Sequence, residues 1–170
     1  MRPIKLPNMS KTEVKKLVED QILCRIAFKG KDAPHIAPFQ YAQVNGQLYF
    51  HFTNYGKKIG LLEEGSPVCV EIEQYNPNLS EYRFVVLTGK LKIVVDTQER
   101  SLAVERMVNT AKKKGLSENF LAAHGFPKEM GWDSLKASAP ITIVKLDPVT
   151  EITGLRSPQT SVESNECPGS

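Results

Sequence analysis

The chain has 170 residues, 41% hydrophobic and 24% charged, with a net charge of +3. That composition gives one globular domain with a real core, and the charge is too small to imply a nucleic-acid partner by itself. No apolar run is long enough to span a bilayer, Met1 to Asn8 lacks the apolar stretch of a signal peptide, and the odd count of cysteines (Cys24, Cys69, Cys167) without CxxC spacing argues against a disulfide framework or zinc site, so a cytoplasmic protein without a membrane partner is expected.

Taken in order, Ser10-Lys-Thr-Glu13 matches a capping box, and Val14, Leu17 and Val18 follow at helical spacing, predicting a helix to about Asp20. Ile22 to Phe28 reads as a strand with Ile22, Cys24, Ile26 and Phe28 on one face. His35 to Val44 is a second strand interrupted by Pro38, which marks an edge, a bulge or a close approach of a ligand to the backbone. Asn45-Gly46 joins it to Gln47–Phe52 as a two-residue hairpin.

Thr53-Asn-Tyr-Gly56 is turn chemistry. Lys57 to Glu64 reads as a short helix stopped by Gly65, with its charges reversed: lysines open it and glutamates close it, against the helix dipole. The lysine pair is either a phosphate site or two solvated side chains. Pro67–Gln74, Tyr82–Thr88 and Lys90–Val95 are further strands, with Gly89 as a kink or bulge. Asp96-Thr-Gln-Glu99 opens a helix to about Lys114, and Ser117–His124 a shorter one. Gly125–Ala139 is irregular and carries the only tryptophan, Trp132. Ile141–Leu146 is a last strand closed by Asp147-Pro148, with a weaker extended piece near Ile152. Six or seven strands joined mostly by tight turns, with peripheral helices, predict a mainly β fold: a small antiparallel barrel occupying residues 1–154 as a single domain. Leu155 to Ser170 is polar and Ser-rich, and is expected to be disordered.

Phe39, Tyr41, Tyr49 and Phe50 lie on two paired strands leading into the lysine pair. They suit either a barrel core or a planar ligand with a phosphate tail at Lys57 and Lys58. His51 lies on the face opposite Phe50 and Phe52. No dinucleotide fingerprint, P-loop, metal spacing or hydrolase motif is present.

Phe52-Thr-Asn-Tyr-Gly-Lys-Lys58 resembles the phosphate-binding segment of pyridoxamine 5′-phosphate oxidases. Cys24-Arg-Ile-Ala27, Pro34-His-Ile-Ala-Pro38, Phe50-His51, Gly56-Lys-Lys58 and Tyr82 to Gly89 together resemble their relatives among the flavin-binding split barrels, which include nitroimidazole-resistance proteins. The resemblance runs from about Ser10 to Pro148. It implies a split β-barrel homodimer with FMN between the subunits. Lys57 and Lys58 would hold the phosphate and Thr53 would add a hydroxyl. Pro38, Phe39, Gln40 and Tyr41 would face the ring by their backbone, and His51 belongs to the matched Phe-His motif. Arg25 or Arg83 is a donor for the pyrimidine end. Trp132 is either a hydrophobic plug or a cover over the partner's flavin. No catalytic acid or base is assigned and no metal is expected. Two departures stand out. The oxidases' Arg-x-His substrate motif is absent, since Arg156 precedes Ser157 and Pro158, and Phe84 replaces a serine of the resembled strand. The expected function is FMN-dependent electron or hydride transfer with a small redox partner such as a nicotinamide or deazaflavin, not efficient pyridoxamine 5′-phosphate oxidation. The alternatives are a flavin or haem carrier, with His51 or His124 as iron ligand, and single-strand binding through Lys112–Lys114.

Overall fold

The computed structural model describes residues 5–53, 57–63, 66–122 and 126–158, with Lys57 and Glu63 by backbone only. The expected turn at Asn54-Tyr55-Gly56, the stop at Gly65, His124 and residues 159–170 of the expected tail lie outside the described residues.

The elements run α1 (Lys11–Asp20), β1 (Leu23–Phe28), β2 (His35–Val44), β3 (Gln47–Thr53), α2 (Lys57–Glu63), β4 (Pro67–Tyr75), β5 (Tyr82–Ile93), α3 (Thr97–Lys113), α4 (Asn119–Ala122) and β6 (Ile141–Arg156). The six strands form one closed antiparallel barrel in the order β1-β2-β3-β6-β5-β4, sealed by pairing of β1 with β4. Strand alternation sends one set of side chains inward. Cys24, Ile26 and Phe28, then Phe39 and Tyr41, then Leu48, Phe50 and Phe52 join Val70, Ile72, Val85, Leu87, Val144 and Leu146 in the barrel core. The hairpin between β2 and β3 turns at Asn45 (φ 51°) and Gly46 (φ 82°), the left-handed pair that a two-residue turn of this kind requires.

Helix α1 begins with a complete capping box. The Glu13 N–H donates to Ser10 Oγ (3.2 Å), and the Ser10 N–H donates to Glu13 Oε2 (2.7 Å). Leu17 and Val18 pack against the barrel core, and the Tyr41 hydroxyl donates to the Val18 carbonyl at 2.7 Å. Helix α3 covers the outer face of β2, β3 and β6. Ala103, Val104, Met107, Val108 and Ala111 make a second apolar cluster there with Ala42, Tyr49, Ile141, Ile143, Leu121, Trp132 and Leu135. Arg100 ties the irregular stretch to α3 by donating to the carbonyls of Ala137, Ala139 and Ile141.

The structure differs from the sequence reading in the last third of the sheet. The two strands expected on either side of Gly89 are one strand, β5. The expected short strand and the extended piece beyond it are also one, β6, which runs through Asp147-Pro148 to Arg156. Pairing slips at Gly89, opposite Val149, before resuming at Leu91 opposite Leu146. A Cβ on Gly89 would lie 2.4 Å from the Pro148 carbonyl oxygen, so the close approach of the two backbones requires glycine. Leu155 and Arg156, placed in the tail by sequence reasoning, are strand residues. Arg156 is held by Glu13 of α1 at 3.3 Å.

Candidate functional site

Alternation along β1, β2 and β3 places Leu23, Pro38, Gln40, His51 and Thr53 on the outside of the barrel. Leu23 pairs with Gln40 across β1 and β2. The β2–β3 ladder ends at Tyr41 opposite Phe50, so Gln40 and His51 occupy the next position, with Pro38 and Thr53 two residues further on. Where this face runs out from under the second cluster it forms a cleft of about 280 Å³, lined by Leu23, Pro38, Phe39, Gln40, His51, Thr53, Lys58 and Phe120.

The lining is chemically mixed. The Lys58 ammonium lies 4.8 Å from the centre of the Phe39 ring, and Thr53 lines the same cleft. The Phe39 ring lies tilted against Phe52, centroids 4.6 Å apart. Gln40 (2% exposed) and His51 (5%) are the buried polar residues of the lining. The Phe120 ring meets the His51 ring edge-on at 6.0 Å and lies stacked on Trp132 at 6.3 Å.

Other residues expected at the site do not line the cleft. The Tyr41 side chain is inside the barrel, where burial pushes its hydroxyl pKa up; only its backbone borders the strand face. Arg25 turns toward β4, where it donates to Glu71 at 3.2 Å and to Glu73. Arg83 lies on β5 between Gln74 and Arg156. Trp132 is buried behind Phe120, its indole N–H donating to the Leu116 carbonyl at 3.1 Å. Leu23 and Phe120 were not expected. Leu23 carries the right alternation to be found, but Phe120 reaches the cleft only by tertiary packing. Among the described residues no three His, Cys, Asp or Glu side chains converge as metal ligands would, and no helix is long and apolar enough to cross a membrane.

A barrel of this order with a cleft of mixed lining on its outer face is a split-barrel architecture. Residues 10–148 match the pyridoxamine 5′-phosphate oxidase family, and the chain belongs to that family. The chain is 31% identical over 90 residues to the uncharacterized protein RA0666 of Rhizobium meliloti (strain 1021), an alignment covering 53% of this chain and 58% of that relative. Among solved structures it resembles a FAD-binding protein from Mesorhizobium loti (TM-score 0.66, 18% identity, 91% of this chain and 100% of that one). It also resembles a candidate 5-nitroimidazole antibiotic resistance protein from Bacteroides thetaiotaomicron (TM-score 0.63, 17% identity, 91% and 92%). These structures share its fold.

Proposed function

We propose that the protein binds FMN in this cleft and is an oxidoreductase that uses it with a small redox partner, a nicotinamide or a deazaflavin. The observation that carries the reading is the donor set. A cation and a hydroxyl (Lys58, Thr53), a buried amide (Gln40) and apolar side chains (Leu23, Pro38, Phe39, Phe120) line one cleft. A ligand with an anionic tail, a flat apolar body and a polar edge satisfies all three, and a flavin mononucleotide has that form. The flavin-binding Mesorhizobium loti neighbour supports the same ligand class.

Bound FMN supplies one- and two-electron transfer, and the protein supplies binding, orientation and electrostatics. Lys58 neutralises the phosphate with a charge-assisted bond and Thr53 adds a second donor. Phe39 and Pro38 exclude water from the floor, and Phe120, backed by Trp132, forms a rigid apolar wall. The cleft is just under the roughly 300 Å³ at which small-molecule sites usually begin, and it is open on one side. A second copy laid over that side completes the enclosure, which makes the working form a homodimer. Pyridoxamine 5′-phosphate is not the efficient substrate: Arg156, the only arginine after residue 106, is engaged by Glu13 and has no histidine two positions on.

A visible spectrum of the purified protein, followed by titration with FMN, tests this reading. Saturable FMN binding is expected, with bleaching under anaerobic conditions by NADH, NADPH or a reduced deazaflavin. Rapid formation of pyridoxal 5′-phosphate under oxygen overturns the substrate assignment, and absence of saturable FMN binding overturns the whole reading. A second reading, a carrier of haem without catalysis, rests on His51 in the cleft wall; one sharp intense band in the spectrum, in place of two broad flavin bands, selects it.

A further inference from the structure

Gln40 is 2% exposed, and neither its Oε1 nor its Nε2 has a hydrogen-bond partner among the described residues. Buried amides left unmet are rare because each lost bond to water goes uncompensated. The Arg156 Nε is likewise without a hydrogen bond but is ion-paired with Glu13. Gln40 has no such relief, and it lines the cleft. Folding therefore leaves one acceptor and one donor, side by side, in the wall of the site.

What meets them must carry an N–H next to a carbonyl. Along the strand, Gln40 is two residues, or about 7 Å, from the row of Pro38 and Thr53, and Lys58 lines the same cleft. A flavin whose phosphate is held by Lys58 and Thr53 can bring its ring to Gln40. The two ends of that ring differ. The benzenoid end carries methyl groups alone, whereas the pyrimidine end carries N3–H flanked by two carbonyls. We infer that Gln40 reads the pyrimidine edge, its Oε1 accepting from N3–H and its Nε2 donating to an adjacent carbonyl, and so fixes which end of the ring enters the cleft. The inference rests on the flavin reading above and deepens it: it makes a neutral amide, rather than Arg25 or Arg83, the group that recognises this edge. Both arginines lie away from the cleft, and Arg25 is already engaged by two glutamates.

The test compares FMN with 3-methyl-FMN, which keeps the ring, the ribityl chain and the phosphate but has no N3–H. Dissociation constants are read from the change in flavin fluorescence, with no turnover involved. The parent protein should prefer FMN by roughly 10- to 100-fold, the cost of leaving a buried acceptor unmet. Gln40→Met keeps the length and removes both polar atoms, so it should bind the two flavins alike. The ligand-free variant should melt no lower than the parent, because an unmet amide has been removed; Gln40→Leu replaces it where the methionine variant does not fold. A parent that binds FMN and 3-methyl-FMN equally overturns the inference and leaves the flavin reading standing. So does a folded variant that retains the full preference. A parent that binds neither flavin overturns both.

Discussion

Lys58 offers the sharpest single-residue test of the ligand. Its ammonium lies in the cleft over Phe39, and in the proposed function it meets the phosphate that riboflavin lacks. Lys58→Ala should weaken FMN about 10- to 100-fold, the worth of one charge-assisted bond, and leave riboflavin affinity nearly unchanged. Equal losses for both flavins in parallel fluorescence titrations would show that the lysine supports the fold and not the phosphate. Gly89 tests the sheet. A methyl group there meets the Pro148 carbonyl oxygen at 2.4 Å and Leu146 Cδ1 at 3.1 Å, so one backbone must shift. Gly89→Ala should cost about 1–3 kcal/mol, read as a lower urea midpoint at constant slope. Pro38, Gln40 and Thr53 were legible through the resemblance and His51 through its alternation with Phe50 and Phe52, and the strands' period of two puts all four on one outward face. Arg25 shows where such reading stops. Alternation tells that it points outward, but its capture by Glu71 and Glu73 depends on β1 pairing with β4, which local pattern does not contain.

At the scale of elements, the helix starts were legible from their capping residues, and one was legible only by half. Asp96 caps α3 by accepting from the Glu99 N–H at 2.7 Å. Glu99 does not reciprocate. Its carboxylate leaves the helix end and accepts from Lys145 (2.8 Å) and from the Tyr49 hydroxyl (2.8 Å), tying α3 to β6 and β3. The Lys145 bond, then that of Tyr49, holds the Glu99 pKa below its ordinary 4.5. The sign follows: a carboxylate with a lowered folded-state pKa stabilises fully above the unfolded value and loses that contribution as pH falls through the folded one. Lys92 does the same for Asp147, and the Ser10 backbone for Glu13. Stability should therefore decline as pH drops below about 4.5, and Glu99→Gln should make that decline shallower while costing about 1 kcal/mol at neutral pH, since the pair is partly solvated. Thermal melts at stepped pH check both. The long strands were harder to read. Asp147-Pro148 looks like a terminator, yet β6 carries the pair as a bulge opposite Lys90, and only the facing strand reveals that the chain resumes its ladder.

For the molecule as a whole, two apolar side chains beside the cleft, Leu23 on β1 and Ile36 at the start of β2, are left 54% and 63% exposed. Apolar side chains bordering an open binding site suit contact with a second copy. FMN-loaded protein should scatter light as twice the 19.0 kDa chain, and Ile36→Glu should return it to one chain and weaken FMN together. A single-chain mass for the loaded parent would sink the dimer.

Strand β6 also governs how this molecule comes into being. It stands between β3 and β5, so Thr53 finds its partner, Ile141, only after most of the chain has been made. While synthesis proceeds from the N-terminus, the first five strands can assemble only as an open sheet with two unpaired edges. Closing the ring is the last event, and it joins segments far apart in sequence, the kind of step that slows folding. During that interval the nascent sheet is exposed to pairing with its neighbours. A ribosome pausing between Ile93 and Ile141 would prolong that exposure.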